Sequence, residues 1–144
     1  MLATDVVSDA NVALKWFRHE GEEDVESARA LLDRHRERQV LLHVLDLTFY
    51  ELGNALLRGR ARATAEQTAT VLGALREICP TIIPENDDLA LASELAAEHE
   101  LTLYDAAYAA VAQRRDAPFV TFDRQLLAAG LGIRPPELLA RIRV

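Results

Sequence analysis

Short apolar runs separated by longer segments of helical periodicity make up nearly the whole chain. Val6-Val7 opens the series as a β-branched pair that stops at Ser8-Asp9, and Val12-Ala13-Leu14-Lys15-Trp16-Phe17 then reads as a helix. From Glu22 to Arg38 the stripe Val25, Ala28, Leu31 and Leu32 recurs at helical spacing, with Glu26, Arg29, Asp33 and Arg36 facing water. Gln39 to Val44 is a short strand centred on Val40-Leu41-Leu42. Between about Asp46 and Arg58 the period is helical again. Leu45, Phe49, Leu52 and Leu56 share one face, while Leu47, Glu51, Asn54 and Arg58 step along an adjacent one.

The alternation continues to the end of the chain. Thr64 with Gln67 forms a capping box for a helix to Ile78 that turns Val71, Leu72, Leu75 and Ile78 inward, and Cys79-Pro80 stops it. Thr81-Ile82-Ile83 reads as a brief buried strand, and a helix follows from about Asn86 to His99. Leu101-Thr102-Leu103 leads into an alanine-rich helix from Tyr104 to Ala112, whose small side chains permit close approach to a sheet. Pro118 to Asp123 is a strand ending on an acid. Arg124 to Ala129 is a short helix closed by Gly130, and Leu131-Gly132-Ile133 is an edge-strand candidate before Pro135. Strands alternating with helices predict an α/β fold: a parallel sheet of four to five strands with helices on both faces. At 144 residues, without a linker, repeat or low-complexity tract, the chain is expected to form one domain over 1–144.

Composition narrows the chemistry. Cys79 is the only cysteine, which excludes an internal disulfide and a cysteine-based zinc site and suits a reducing compartment. The N-terminus has no signal-peptide pattern and no apolar run approaches the length of a membrane span, so a soluble, cytoplasmic protein is expected. A net charge of −7 speaks against holding nucleic acid mainly by neutralising phosphates. Nucleic acid as a substrate stays open. Arg58, Arg60 and Arg62 are candidates for contact with a phosphate backbone, or simply a solvated helix end. His19, His35, His43 and His99 show neither metal-ligand spacing nor a nucleophile partner, and no glycine-rich phosphate loop is present.

Four carboxylates remain. Asp9, Asp105 and Asp123 fall at or just after predicted strand ends, where the functional crevice of an open α/β sheet lies. Each has a structural reading: Asp9 and Asp123 as helix N-caps, Asp105 in a capping box with Thr102. Glu51 lies beside Phe49, Tyr50 and Leu52 in the apolar half of its helix, where an acid is rarely buried without a partner; a solvated position is its alternative. Gathered together, four carboxylates raise one another's pKa unless a cation lies between them. An all-oxygen donor set suits Mg²⁺ or Mn²⁺, and the chemistry such a site serves is phosphodiester hydrolysis.

Val7-Ser8-Asp9-Ala10-Asn11-Val12, Glu51-Leu52-Gly53-Asn54-Ala55-Leu56, Thr102-Leu103-Tyr104-Asp105-Ala106-Ala107-Tyr108 and Val120-Thr121-Phe122-Asp123-Arg124-Gln125-Leu126 resemble, in order and spacing, the four acidic motifs of PIN-domain ribonucleases. The similarity is greatest to the VapC-type toxins of toxin–antitoxin pairs. It implies a three-layer α/β/α sandwich and a divalent-metal-dependent endoribonuclease. Asp9 and Asp105 would be the principal metal ligands, Glu51 a ligand or proton acceptor, and Asp123 an outer or second-metal ligand. Asn54 and Thr121 would be supporting residues. A homodimer and a cognate antitoxin are the implied protein partners, with RNA as substrate. Ser8 and Asn11 depart mildly from the family pattern. Two other readings keep the fold: a catalytically silent interaction protein, and a housekeeping RNA-processing or structure-specific nuclease.

Overall fold

The structure, a computed structural model, describes residues 3–18, 24–60 and 62–142. His19 and the predicted helix start at Glu22 lie outside the described residues. The elements in chain order are β1 (Thr4–Ser8), α1 (Ala10–Phe17), α2 (Val25–Arg36), β2 (Val40–Leu45), α3 (Asp46–Arg58), α4 (Ala65–Ile78), β3 (Thr81–Ile82), α5 (Asn86–His99), α6 (Leu103–Arg114), β4 (Phe119–Val120), α7 (Arg124–Ala128) and α8 (Pro135–Arg141). The four strands form one parallel sheet in the order β3-β2-β1-β4. Ile133 adds a single parallel bridge to Val120 beyond β4, at the place of the predicted edge strand.

The pleat sends neighbouring residues to opposite faces, and the core divides accordingly. Val6, Leu42, Val44 and Val120 pack with Val12, Trp16, Leu31, Leu52, Leu56 and Leu75 on one side. Val7, Leu45 and Phe119 pack with Leu95, Tyr108, Val111 and Leu126 on the other. The sheet is thus the middle layer of an α/β/α sandwich. The second side depends on α6, in which every residue from Ala106 to Ala112 is buried. Five of those seven are alanine, so the helix backbone lies close to the sheet where longer side chains would hold it away. Asp88, buried in the first turn of α5, accepts from the Glu85 N–H at 2.8 Å and from Arg114 Nη1 at 2.8 Å, tying α5 to the end of α6.

Several boundaries differ from the sequence pattern for local reasons. α2 ends at Arg36 because Arg38 adopts a left-handed backbone, with φ of 62°. β4 stops at Val120 instead of running to Asp123, since the Thr121 N–H turns to Ile133 O and the Asp123 carboxylate caps α7 by accepting from the Leu126 N–H. Ile83, expected in a buried strand, is 71% exposed, because β3 is the edge of the sheet and pairs only with β2. Gly132 lets the chain pass tightly over the end of β4: a Cβ there would stand 2.6 Å from Thr121 Cγ2 and 3.2 Å from Phe119 O.

Candidate active site

Strand order places the site. The chain builds β1, β2 and β3 outward in one direction and returns to set β4 on the other flank of β1. The carboxyl ends of β1 and β4 therefore border a switch point, the place where an open parallel sheet leaves a crevice. Asp9 follows β1 directly, and Thr121 and Asp123 follow β4. Glu51 reaches the crevice from α3, which starts at the carboxyl end of β2. Asp105 reaches it from the first turn of α6. All four predicted acids, with Asn11 and Leu14, line one cleft of about 250 Å³, and among the described residues no Lys or Arg side chain lines it.

Capping and placement in the cleft coexist. Asp9 is 6% exposed; its Oδ1 accepts from the Ala10 N–H at 2.7 Å as the N-cap of α1, and its Oδ2 accepts from the Thr121 hydroxyl at 2.7 Å. Thr121 Oγ1 in turn accepts from the Asp123 N–H at 3.0 Å, so one hydroxyl links the segments bearing Asp9 and Asp123. Asn11 bridges the same two segments, accepting from the Phe122 N–H at 3.2 Å and donating to Thr121 Oγ1 at 3.4 Å. Glu51 is held by the Tyr108 hydroxyl, which donates to Oε1 at 2.6 Å. That hydroxyl also lies 2.8 Å from Thr48 Oγ1, and the Tyr108 ring stacks on Phe119 with centroids 5.5 Å apart. Asp105 begins α6 with its N–H donating to Thr102 Oγ1 at 3.1 Å. Asn54 stands exposed on α3, one turn beyond Glu51 and outside the cleft lining.

The electrostatics follow from burial and like charge. Burial pushes the Asp9 carboxyl up to about 7, against the pull of the Thr121 hydroxyl and the Ala10 N–H, while the charges of Glu51 and Asp105 add to the rise. Burial also raises Glu51, opposed by the Tyr108 hydroxyl and reinforced by Asp105. Asp105 is raised by burial and then by Asp123, with Thr102 working in the opposite direction. Such a group of acids gains from a cation. Among the described residues no three Asp, Glu, His or Cys side chains form a preassembled ion cage. The donor set the cleft offers is carboxylate oxygen throughout, which fits a hard divalent cation.

Two contributors escape a reading of the sequence: Tyr108 and Thr48, both buried and both of the size and polarity of ordinary core residues. The available signal is the position of Tyr108, three residues after Asp105 on the same side of α6 and the one hydroxyl-bearing residue between Ala106 and Ala112.

The fold and the site define an α/β protein with an acidic cleft at the switch point of its sheet, and comparison with known proteins gives its family. A PIN domain model matches residues 6–130, and the chain belongs to the PIN-domain family, whose nucleases depend in general on divalent metal. Two curated relatives are VapC proteins of Pyrobaculum aerophilum. Exonuclease VapC9 is 37% identical over 107 residues, 74% of this chain and 77% of its own length. Ribonuclease VapC3 is 33% identical over 109 residues, 73% and 80% of the respective lengths. The crystal structure of PAE2754 from the same organism superposes with a TM-score of 0.67 at 28% identity, covering 96% of this chain and 95% of that one. A chain of a Klebsiella pneumoniae toxin–antitoxin complex shares the fold, with a TM-score of 0.68 at 18% identity over 90% and 97% of the two chains.

Proposed function

We propose that this chain, acting as a single nuclease domain over 1–144, is a divalent-metal-dependent endoribonuclease and the toxin of a toxin–antitoxin pair. The observation that carries the reading is the convergence of Asp9, Glu51, Asp105 and Asp123 from four distant segments on one cleft. The ribonuclease and exonuclease names of its VapC relatives support the same class of reaction.

Asp9 and Asp105 would hold Mg²⁺ or Mn²⁺ as its principal ligands, with Asp123 as an outer or second-metal ligand. When bound, the ion supplies the Lewis acidity that makes water a nucleophile near neutral pH and a counter-charge for the phosphate. Thr121 fixes the Asp9 carboxylate through its 2.7 Å hydrogen bond. Tyr108 does the same for Glu51, leaving that carboxylate to hold the ion or accept a proton from the attacking water. Asn54, exposed one turn away, serves at the rim. The protein works in the cytoplasm as a homodimer; no described helix is long and apolar enough to cross a membrane. A cognate antitoxin silences it, and a cleft of carboxylates suits an arginine-bearing segment of that partner.

Cleavage of total cellular RNA by the purified protein with Mg²⁺, with Mn²⁺ and with chelator, beside Asp9→Asn and Asp105→Asn, tests the assignment. Discrete internal cuts that require metal and vanish in both variants are expected. Equal cleavage by parent and variants at matched Mg²⁺ refutes the assignment of these acids. Tight antitoxin or RNA binding with no cleavage in prolonged incubation refutes the enzyme.

A further inference from the structure

A second concavity, of about 460 Å³, adjoins the carboxylate cleft and has the opposite sign. Among the described residues Lys15, Arg124 and Arg134 line it together with Asp24, and Phe122 and Leu127 form its apolar wall. Lys15, Phe122 and Arg124 are chain neighbours of residues that line the cleft. Arg124 follows Asp123 directly, and Lys15 lies next to Leu14 and one helical turn beyond Asn11 on α1, both of which line the cleft. Phe122 joins the two concavities: its N–H is held by Asn11, and its ring carries the Lys15 ammonium 5.3 Å from the centroid. Asp24 is engaged with Arg134 at 3.2 Å, which gives that arginine a fixed place in the wall.

A polyanion faces a difficulty on this protein. The chain carries a net charge of −7, and its candidate active site is itself a group of carboxylates. A strand whose scissile phosphate enters that cleft must be held where the potential reverses, and contacts to the backbone set its position without reading its bases. Among the described residues, Lys15, Arg124 and Arg134 gathered beside Asp123 supply that reversal. We propose that the Lys15–Arg124–Arg134 pocket is a backbone-phosphate subsite for single-stranded RNA, binding a phosphate adjacent to the one cleaved and so setting the strand's register in the cleft. The subsite rests on the ribonuclease reading above and goes beyond it by naming what grips the substrate outside the acids. Phe122 is a positioning residue that holds Lys15 in place by cation–π attraction.

The test uses Lys15→Gln, Arg124→Gln and the double variant; Arg134 is left intact because it pairs with Asp24 and starts α8. A fluorescent, unstructured 12-nucleotide RNA is titrated in the Asp9→Asn background over a range of salt. Cleavage of the same RNA in Mg²⁺ is measured with Asp9 present. Each lost phosphate contact should lower the magnitude of the log K against log[salt] slope by about 0.7. Because the pocket holds one phosphate, the double variant should lose about 0.7 of slope, bind several-fold more weakly, and raise KM with kcat at saturation close to the parent's. Thermal unfolding midpoints should stay close to the parent's, Arg124 being exposed and Lys15 half-buried, and their rise on adding Mg²⁺ should match the parent's. An unchanged slope and KM in a parent that binds and cleaves RNA overturns the subsite and leaves the nuclease standing. A parent that neither binds nor cleaves RNA overturns both. Loss of binding to an Asp/Glu-rich peptide, with RNA binding intact, would assign the pocket to a protein partner and overturn the proposal.

Discussion

Asp9→Asn should make the protein more stable at neutral pH in the absence of divalent ions, although it removes a central residue of the site. The carboxyl is nearly fully buried, and its pKa rises from an ordinary 3.8 in the unfolded chain to about 7 in the folded one. The folded state therefore holds this proton more tightly, and stability falls as pH climbs from about 4 through 7. At about 1.4 kcal/mol per pKa unit, the ionised carboxylate costs about 4 kcal/mol at pH 7.5 and about 1.5 kcal/mol at pH 5. An asparagine retains an acceptor for the Ala10 N–H, but it replaces the charged acceptor of the Thr121 hydroxyl with a neutral amide, a loss of about 1–2 kcal/mol. The net expectation is a gain of about 2–3 kcal/mol at pH 7.5, or about 6–9 °C in Tm for a chain of this size, shrinking to about zero at pH 5. Urea and thermal unfolding of both proteins in chelator at the two pH values measure this directly. Adding Mg²⁺ should stabilise the parent by mass action and the variant much less, narrowing the gap. A variant no more stable than the parent at pH 7.5 in chelator, or a difference that does not change between pH 5 and 7.5, refutes the reasoning.

Tyr108→Phe keeps the ring stack on Phe119 but removes the hydroxyl shared by Glu51 and Thr48; it should cost about 1–3 kcal/mol and shift the acid limb of the pH–rate profile to higher pH, because Glu51 loses the group that favours its anion. His35 accepts from the Leu42 N–H at Nδ1 and donates from Nε2 to Ile78 O at 2.7 Å, joining α2 to β2 and α4. His35→Leu should lose about 2–3 kcal/mol in urea unfolding while RNA cleavage at low temperature is retained. Cys79 is 2% exposed and burial pushes its thiol up to about 12, so a thiol reagent should label it only as fast as the protein unfolds, with the rate rising through the urea transition. Saturating chelator should abolish RNA cleavage, and restored Mn²⁺ or Mg²⁺ should recover it.

Much of this architecture is legible in the chain because its helices carry clear stripes and its strands are short and apolar. The α2 stripe of Ala28, Leu31 and Leu32 and the capping box of Thr64 with Gln67 are found where the pattern puts them. What periodicity cannot carry is long-range pairing. The extended run from Pro118 reads as one strand to Asp123, yet the sheet ends at Val120, since Thr121 bonds to Ile133 across a loop that local pattern does not see. The acids show the same limit. Asp9 and Asp123 look like caps and are caps, and only the sheet order β3-β2-β1-β4 makes them neighbours of Glu51 and Asp105 as well. Asn54 shares the helical spacing of Glu51, but α3 turns it to solvent. Tyr108 is hidden for the opposite reason: a tyrosine within the buried, alanine-rich stretch Ala106–Ala112 has the pattern of core, and its hydroxyl acquires a role only when α3 brings Glu51 within 2.6 Å.

The tight passage of Gly132 over β4 bears on how the activity would be lost by genetic selection. A cell carrying an active ribonuclease toxin without its antitoxin survives only by disabling it, and survivors are expected first among the four acids. Any side chain at position 132 would press on Thr121 Cγ2, while the Thr121 hydroxyl holds Asp9 Oδ2 and receives the Asp123 N–H. Gly132 substitutions should therefore appear among the survivors as folded, expressed and inactive proteins, marking a glycine that is not itself one of the acids but whose emptiness keeps two of them aligned.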